Sequence, residues 1–354
     1  LPGTGTQSNP YDASTERKFD AVLPKIPENT AIHLGPGTFI TNGSTQMKEG
    51  WRISGAGKDR TTVKLADNVL RRDVKAAFVI QHRDFVGFLN YFELSDLTID
   101  CNKAHQPAYT HKLSGHSLNA WSIAAKNALI RNVRAIGTWA KPGEGFPCAV
   151  IHGGSRGEGD SVQISGCDNV SPEGYLTAIS VFDQTGGLVG GFIENCSVTD
   201  HPRGAGFGSG GWRNFEIRNN YTNNVAAPIV IDTHDYYSVR IWGNRFYSST
   251  DHTLLFNGSG VYQGINIYDN VFDQSSGGPA LMTNNAKVST QIYGNHILMN
   301  DAPYAAFLFS AKTSGSVHDN IIQENHARSD LSRCSLLKIT NNRDSSGRPV
   351  TLGK

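Results

Sequence analysis

The motif Ile-x-x-Asn recurs through the second half of the chain at a nearly fixed interval, and few folds accept such a rhythm. It appears at Ile217 to Asn220, Ile241 to Asn244, Ile267 to Asn270, Ile292 to Asn295 and Ile339 to Asn342, with Val317 to Asn320 in the same place. The asparagines are 24, 26, 25, 25 and 22 residues apart. Farther back the asparagine is replaced: Ile193 leads to Cys196, Ile164 to Cys167, Ile130 to Val133 and Leu94 to Leu97. The spacing predicts about ten coils of roughly 22 to 36 residues, each too short for a strand–helix–strand unit but right for one turn of a β-solenoid.

Asparagine has a physical reason to recur there. It tolerates the left-handed backbone of a sharp corner between two strands, and its amide can bond the equivalent residue one coil away. A second apolar strand precedes each ladder strand, as in Ala178 to Val181, Pro228 to Ile231, Thr253 to Phe256 and Ala306 to Phe309. One coil therefore reads strand, turn, strand, asparagine corner, strand, loop. The rival solenoid, a leucine-rich horseshoe, needs a regular Leu-x-x-Leu-x-Leu that is absent. The expected fold is all-β, a right-handed parallel β-helix over residues 31–342. Residues 1–30 form an N-terminal cap and residues 343–354 a C-terminal tail, all in one domain. Within the cap, Ser14 to Leu23 reads as a short amphipathic helix stopped by Pro24, placed to cover the first coil.

The 354 residues are ample for a large core, and 38 glycines suit many short strands joined by tight turns. Charge is balanced, 32 Lys and Arg against 31 Asp and Glu, so no basic field points to nucleic acid or an anionic membrane. No apolar run is long enough to span a bilayer, and Leu1 to Thr6 carries no signal-peptide pattern. The Leu-Pro-Gly-Thr-Gly opening is discounted as a sorting signal, because such signals precede a C-terminal hydrophobic tail. The five cysteines (Cys101, Cys148, Cys167, Cys196, Cys334) show no zinc spacing. Cys167 and Cys196 hold equivalent repeat positions, which leaves buried thiols and one disulfide both open.

The stretches Ile32 to Phe39 (IHLGPGTF), Trp51 to Val63 (WRISGAGKDRTTV) and Leu97 to Asn102 (LTIDCN) resemble the opening coils of the pectate-lyase-like superfamily, and the Ile-x-x-Asn coils extend that likeness over nearly the whole chain. Its members include polysaccharide lyases, glycoside hydrolases, epimerases, esterases and phage tailspikes, so fold does not fix function. Neither the paired-Asp signature of polygalacturonases nor the Asp-Pro-His-Glu of alginate epimerases is present. The resemblance implies a glycan groove along the outer face of one sheet, a polysaccharide or oligosaccharide substrate, and a secreted or periplasmic location.

Aligning the strand before each ladder strand gives an outward polar column of Lys126, His152, Asp183, Ser209, Asp232, Asn257, Asn284 and Ser310. In it Asp183 and Asp232 are two coils, about 9.6 Å, apart. Inverting glycosidases hold acid and base about 6.5–9.5 Å apart, so one aspartate would protonate the leaving oxygen and the other activate water. Beside them run Asp200, His201 and Arg203, then the glycine-rich 204–211, then His234, Asp235, Tyr236 and Tyr237, and Asp251 and His252. The expected catalytic set is Asp183, Asp232, His201 and Arg203, with Arg203 able to pair with a uronate carboxylate. Lys126, His152, Ser209, Trp212, His234, Asp235, Tyr236, Asp251, His252 and Asn257 are the expected substrate contacts, the aromatic ones by stacking on sugar rings. His105, His111 and His116 lie in a long segment at no standard metal spacing, so no metal site is expected. A lyase would call for a basic proton abstractor and often Ca²⁺, and no lysine lies between Lys141 and Lys287. The favoured expectation is a glycoside hydrolase without cofactor. The alternatives are a lyase or epimerase acting on a uronate glycan, and a non-catalytic glycan-binding or tailspike-like module.

Overall fold

The computed structural model describes residues 15–140, 147–153, 160–175, 177–183, 188–232, 234–258, 260–274, 277–284, 286–300, 302–325 and 328–352, without the side chains of Glu16, Leu188, Val189, Ser209 and Asp232. The chain divides into two compact units, residues 1–154 with 162–176, and residues 155–161 with 177–354.

Both units are wound from parallel strands, and the repeat isoleucines mark the winding. In the first unit Ile32, Ile53, Leu94, Ile130 and Ile164 lie side by side in successive strands. This adds two coils ahead of those the repeat predicted. In the second unit Ile193, Ile217, Ile241, Ile267, Ile292, Val317 and Ile339 do the same. Each such row belongs to what we term sheet one. The strands after the asparagine form sheet two, exemplified by Arg245–Ser249, Val271–Gln274 and His296–Met299. The strands that close each coil form sheet three, exemplified by Ile179–Asp183, Leu254–Asn257, Leu281–Asn284 and Phe307–Leu308, and by the later parts of Ser197–Ser209 and Tyr221–Asp232, whose first residues belong to sheet two. On sheet three Ile179, Phe207, Ile229, Leu254, Leu281 and Phe307 stack as one buried row.

The asparagine ladder forms as a continuous hydrogen-bonded file. Nδ2 of Asn220, Asn244, Asn270, Asn295 and Asn320 donates to Oδ1 of the next asparagine at 2.9–3.0 Å. Each also donates back to a carbonyl of the preceding coil, Asn220 to Ile193 and Asn244 to Ile217. Each Oδ1 in turn accepts the backbone N–H of the ladder residue before it. These amides are buried and fully engaged, which is the condition for polar groups in a core. The left-handed corner falls one residue earlier than expected. Asn219, Gly243, Asp269, Gly294, Asp319 and Asn341 carry positive φ, from 54° to 65°. The turn chemistry thus belongs to the residue before the ladder, and the ladder asparagine is kept for its amide.

At the N-terminus the helix Glu16–Val22 is capped by Thr15, whose hydroxyl accepts from the Lys18 N–H at 3.3 Å. It buries Phe19, Val22 and Leu23, with Phe19 set against Phe39 at 5.7 Å. All five cysteines are buried as thiols, so the disulfide alternative is not realised. Burial pushes Cys101 and Cys148 up, so they are not nucleophiles.

Candidate functional site

The outer face of sheet three in the second unit brings together some of the expected residues and separates others. Alternation along a strand sends neighbouring residues to opposite faces, so register decides which residues share a surface. Asp232, Asn257 and Asn284 are aligned rung by rung, and Asn284 Nδ2 donates to Asn257 Oδ1 at 3.1 Å. Two residues earlier on the same face, Val230, Leu255, Met282 and Leu308 form a parallel apolar row, with Leu308 51 % exposed. The face is thus a track of two stripes, one of amide and carboxylate positions and one of aliphatic groups.

Toward the N-terminus the polar column departs from the sequence alignment. Ser209 pairs with Ile231, so Gly210 is the residue beside Asp232. Ile179 pairs with Phe207 and Ser180 with Gly208, which carries Phe182 to Gly210 and Asp183 to Gly211. A Cβ on Gly211 would lie 3.3 Å from the Asp183 Cβ, in agreement with that register. Asp183 therefore has the parity of the buried Ile179 and Val181, and it is 0 % exposed. The expected Asp183–Asp232 pair does not share a column. A sealed carboxyl cannot protonate a leaving oxygen on the outer face. The side chains of Ser209 and Asp232 lie outside the described part of the structure. In the first unit Ile151 pairs with Ala124, so His152 stands beside Ala125 rather than Lys126, and His152 is buried while Lys126 is half-buried.

Phe182 and His234 meet at the head of the track. Their rings are edge to face at 5.3 Å, and both are half-buried. A Cβ at position 210 would lie 2.5 Å from His234 Nδ1, so any larger residue there would displace the imidazole. One turn onward Arg213, aligned with Tyr237, lays its guanidinium over that ring at 4.5 Å. Sequence reasoning missed Arg213. Its signal was the polar pair Arg213 and Asn214 set between the apolar Trp212 and Phe215 at the start of a sheet-one strand.

Trp212 and Tyr236 are corrections. Both are fully buried, Trp212 stacked on Phe215 at 4.6 Å and Tyr236 stacked on Tyr262 at 5.1 Å, so neither reaches a sugar. Asp235 is exposed, and its carboxylate accepts the Val261 N–H at 2.8 Å. His201 is 1 % exposed, with its ring where a Cβ of Gly204 would be, so it is a core residue rather than a catalytic one. Arg203, Asp251 and His252 sit at the opposite end of the sheet-three strands. There the Thr250 hydroxyl reaches the Pro202 carbonyl at 3.4 Å and Asp251 pairs with His252 Nδ1 at 3.1 Å. A strand such as 205–210 spans about 20 Å, so these residues and His234 form two clusters, not one.

The histidines of the long segment are held locally: His105 by Asn102, His111 by the Pro107 carbonyl, and His116 by the Ser114 and Arg72 carbonyls. Among the described residues no three of His, Cys, Asp or Glu converge on a point that would hold a metal.

No protein-family model matches the chain, and no curated protein sequence does. Solved structures do match in shape. The mannuronan C-5 epimerase AlgE4 A-module of Azotobacter vinelandii superposes with a TM-score of 0.64 at 15 % identity, over 94 % of this chain and 90 % of that one. The surface adhesin PfbA of Streptococcus pneumoniae superposes with a TM-score of 0.56 at 13 % identity, over 93 % of this chain and 86 % of that one. The likeness is one of fold, a coil-by-coil parallel β-helix. Among the described residues, the outer face of sheet three in the second unit sets aligned polar groups and aligned apolar groups beside a half-buried histidine.

Proposed function

We propose that the chain is a carbohydrate-active β-helix protein that holds a glycan along the outer face of sheet three in its second unit. The observation that carries this reading is the two-stripe track. Asn257 and Asn284 offer amides at a rung spacing of about 4.8 Å, and Leu255, Met282 and Leu308 run beside them at the same spacing. A sugar ring presents hydroxyls at its rim and C–H groups on its faces, and the two stripes meet both. The likeness in shape to a mannuronan epimerase agrees with a glycan-directed role. Equilibrium binding to a panel of soluble polysaccharides tests it. Asn284→Ala and Leu308→Asp should weaken binding several-fold while the melting temperature holds. Binding unaffected by both substitutions would move the site off this face.

A second reading adds chemistry on the bound glycan, and it rests on His234. This imidazole is half-buried at the head of the track and braced by Phe182 over a bare glycine, which supports a role in proton transfer. Two-carboxylate hydrolysis loses its support with the burial of Asp183. Product analysis separates the outcomes: new reducing ends for hydrolysis, ultraviolet absorbance for elimination, altered ring stereochemistry for epimerisation. His234→Ala should abolish whichever is seen and leave binding in place. An unchanged glycan under all three readouts makes the protein a binder.

A further inference from the structure

We propose that Arg213, shelved on Tyr237, is the receptor for an anionic substituent on the glycan, a carboxylate or a sulfate ester. The inference rests on the glycan reading above and gives that glycan its charge class.

Arg213 differs from its neighbours Arg218 and Arg240. Its Nε is buried and lacks a hydrogen-bond partner. The neighbouring Arg218 is paired with Glu194 and Glu216, and Arg240 with Glu216, whereas no carboxylate among the described residues pairs with Arg213. A guanidinium with no carboxylate partner carries an uncompensated charge, and an arriving oxyanion supplies the counter-charge. Stacking on Tyr237 uses the face of the guanidinium, and with Nε buried the Nη1–Nη2 edge is the fork left to meet planar or tetrahedral oxyanions. The ring also fixes the plane of the fork, so less side-chain entropy is lost on binding.

The position suits the track. Gly210 lies beside His234 and Arg213 beside Tyr237, on adjacent coils, so the guanidinium stands past the Gly210–Gly211 turn from the imidazole. The next residue in that row, Gln263, is exposed and continues the polar surface onto the following coil. A chain lying on Asn284, Asn257 and His234 would bring a charged group of a following sugar to Arg213.

The test is equilibrium binding of the full chain to polygalacturonate, dextran sulfate and uncharged dextran at low and moderate salt. At least one acidic polymer should bind about tenfold more tightly than dextran, with a salt dependence that dextran lacks. Arg213→Gln should weaken the acidic polymer about ten- to a hundredfold and leave dextran unchanged. Tyr237→Leu, which keeps the charge and removes the shelf, should give a smaller loss of the same kind. Preference for polygalacturonate assigns a carboxylate, and preference for dextran sulfate assigns a sulfate ester. Acidic binding by Arg213→Gln equal to wild type, or equal affinity for dextran and both acidic polymers, overturns the inference and leaves the glycan reading standing. Binding to none of the three removes the glycan reading and this inference with it. Should Arg213→Gln not fold, Arg213→Lys decides the matter with the same polymers: it retains charge without the fork and should still lose most of the acidic preference.

Discussion

Asn270 shows how much a single side chain carries in this fold. Its Oδ1 accepts from both the backbone N–H and Nδ2 of Asn244, and its Nδ2 donates to Asn295, Ile241 and Tyr268. Asn270→Ala strands several of those groups in a dry interior, so a loss of about 3 kcal/mol or more is expected in urea unfolding. Asn270→Asp should cost more, since a carboxylate faces the Asn295 oxygen with no proton to offer. The adjacent corner behaves differently. Asp269 has φ 56°, and equivalent corners are occupied by Gly243 and Gly294. Asp269→Gly should be nearly neutral, and Asp269→Val should cost about 1–2 kcal/mol, because a β-branched residue resists left-handed backbone. The repeat made the ladder legible but not the division of labour, since Asn219 and Asn220 are the same residue type doing different jobs. The site suffered for a related reason. Residues 204–211 are mostly glycine, which gives no alternation to follow, and a slip of one residue there exchanged Asp183 for Phe182 on the outer face.

At the scale of elements, rows of like side chains bind one coil to the next. On the outside of sheet one Trp242, Tyr268, Tyr293 and His318 stack with planes within 4° of parallel, at 6.0, 5.1 and 5.3 Å. Burial alone would raise Glu216, but hydrogen bonds from Arg218 and Trp242 and the charge of Arg240 hold its carboxyl below the ordinary range. The C-terminal tail is shaped by one acid. Asp344 accepts from the Ser346 hydroxyl, the Ser346 and Arg348 N–H groups and the Arg348 guanidinium, which together hold it at about 2 instead of 3.8. A carboxyl depressed in the folded state contributes stability above its unfolded pKa and loses it as pH falls through the folded one. The stability difference between wild type and Asp344→Asn should therefore be constant from neutral pH down to about 4, shrink between about 4 and 2, and vanish below. Thermal melts across that range check it, and a difference that persists at the acid end would remove Asp344 from the role.

Across the whole chain the recurring problem is what to do with coils that have a neighbour on one side only. Parallel coils expose unpaired N–H and C=O groups and open apolar interior wherever stacking stops, and such edges recruit other chains. Two devices meet this need. In the first unit the helix Glu16–Val22 lays Phe19, Val22 and Leu23 onto the coil that carries Phe39, and Asp20 fixes it by accepting from the Thr41 hydroxyl at 2.6 Å and the Asn42 N–H at 2.8 Å. In the second unit the turn built on Asp344 brings the tail back, so that the Val350 N–H donates to the Asn342 carbonyl and the Leu331 N–H to the Leu352 carbonyl. The helix was readable from its apolar spacing and its proline stop. The folded-back tail was not, because its bonds run through backbone and a turn, which leave little trace in composition. Phe19→Asp should loosen the helix and uncover the first coil. Light scattering should then show concentration-dependent association while the far-ultraviolet spectrum of the β-structure is kept. Asp20→Ala, which removes the anchor but no apolar surface, should give a weaker form of the same effect. A Phe19→Asp protein that stays monodisperse at high concentration would mean that the helix fills the coil end without guarding it.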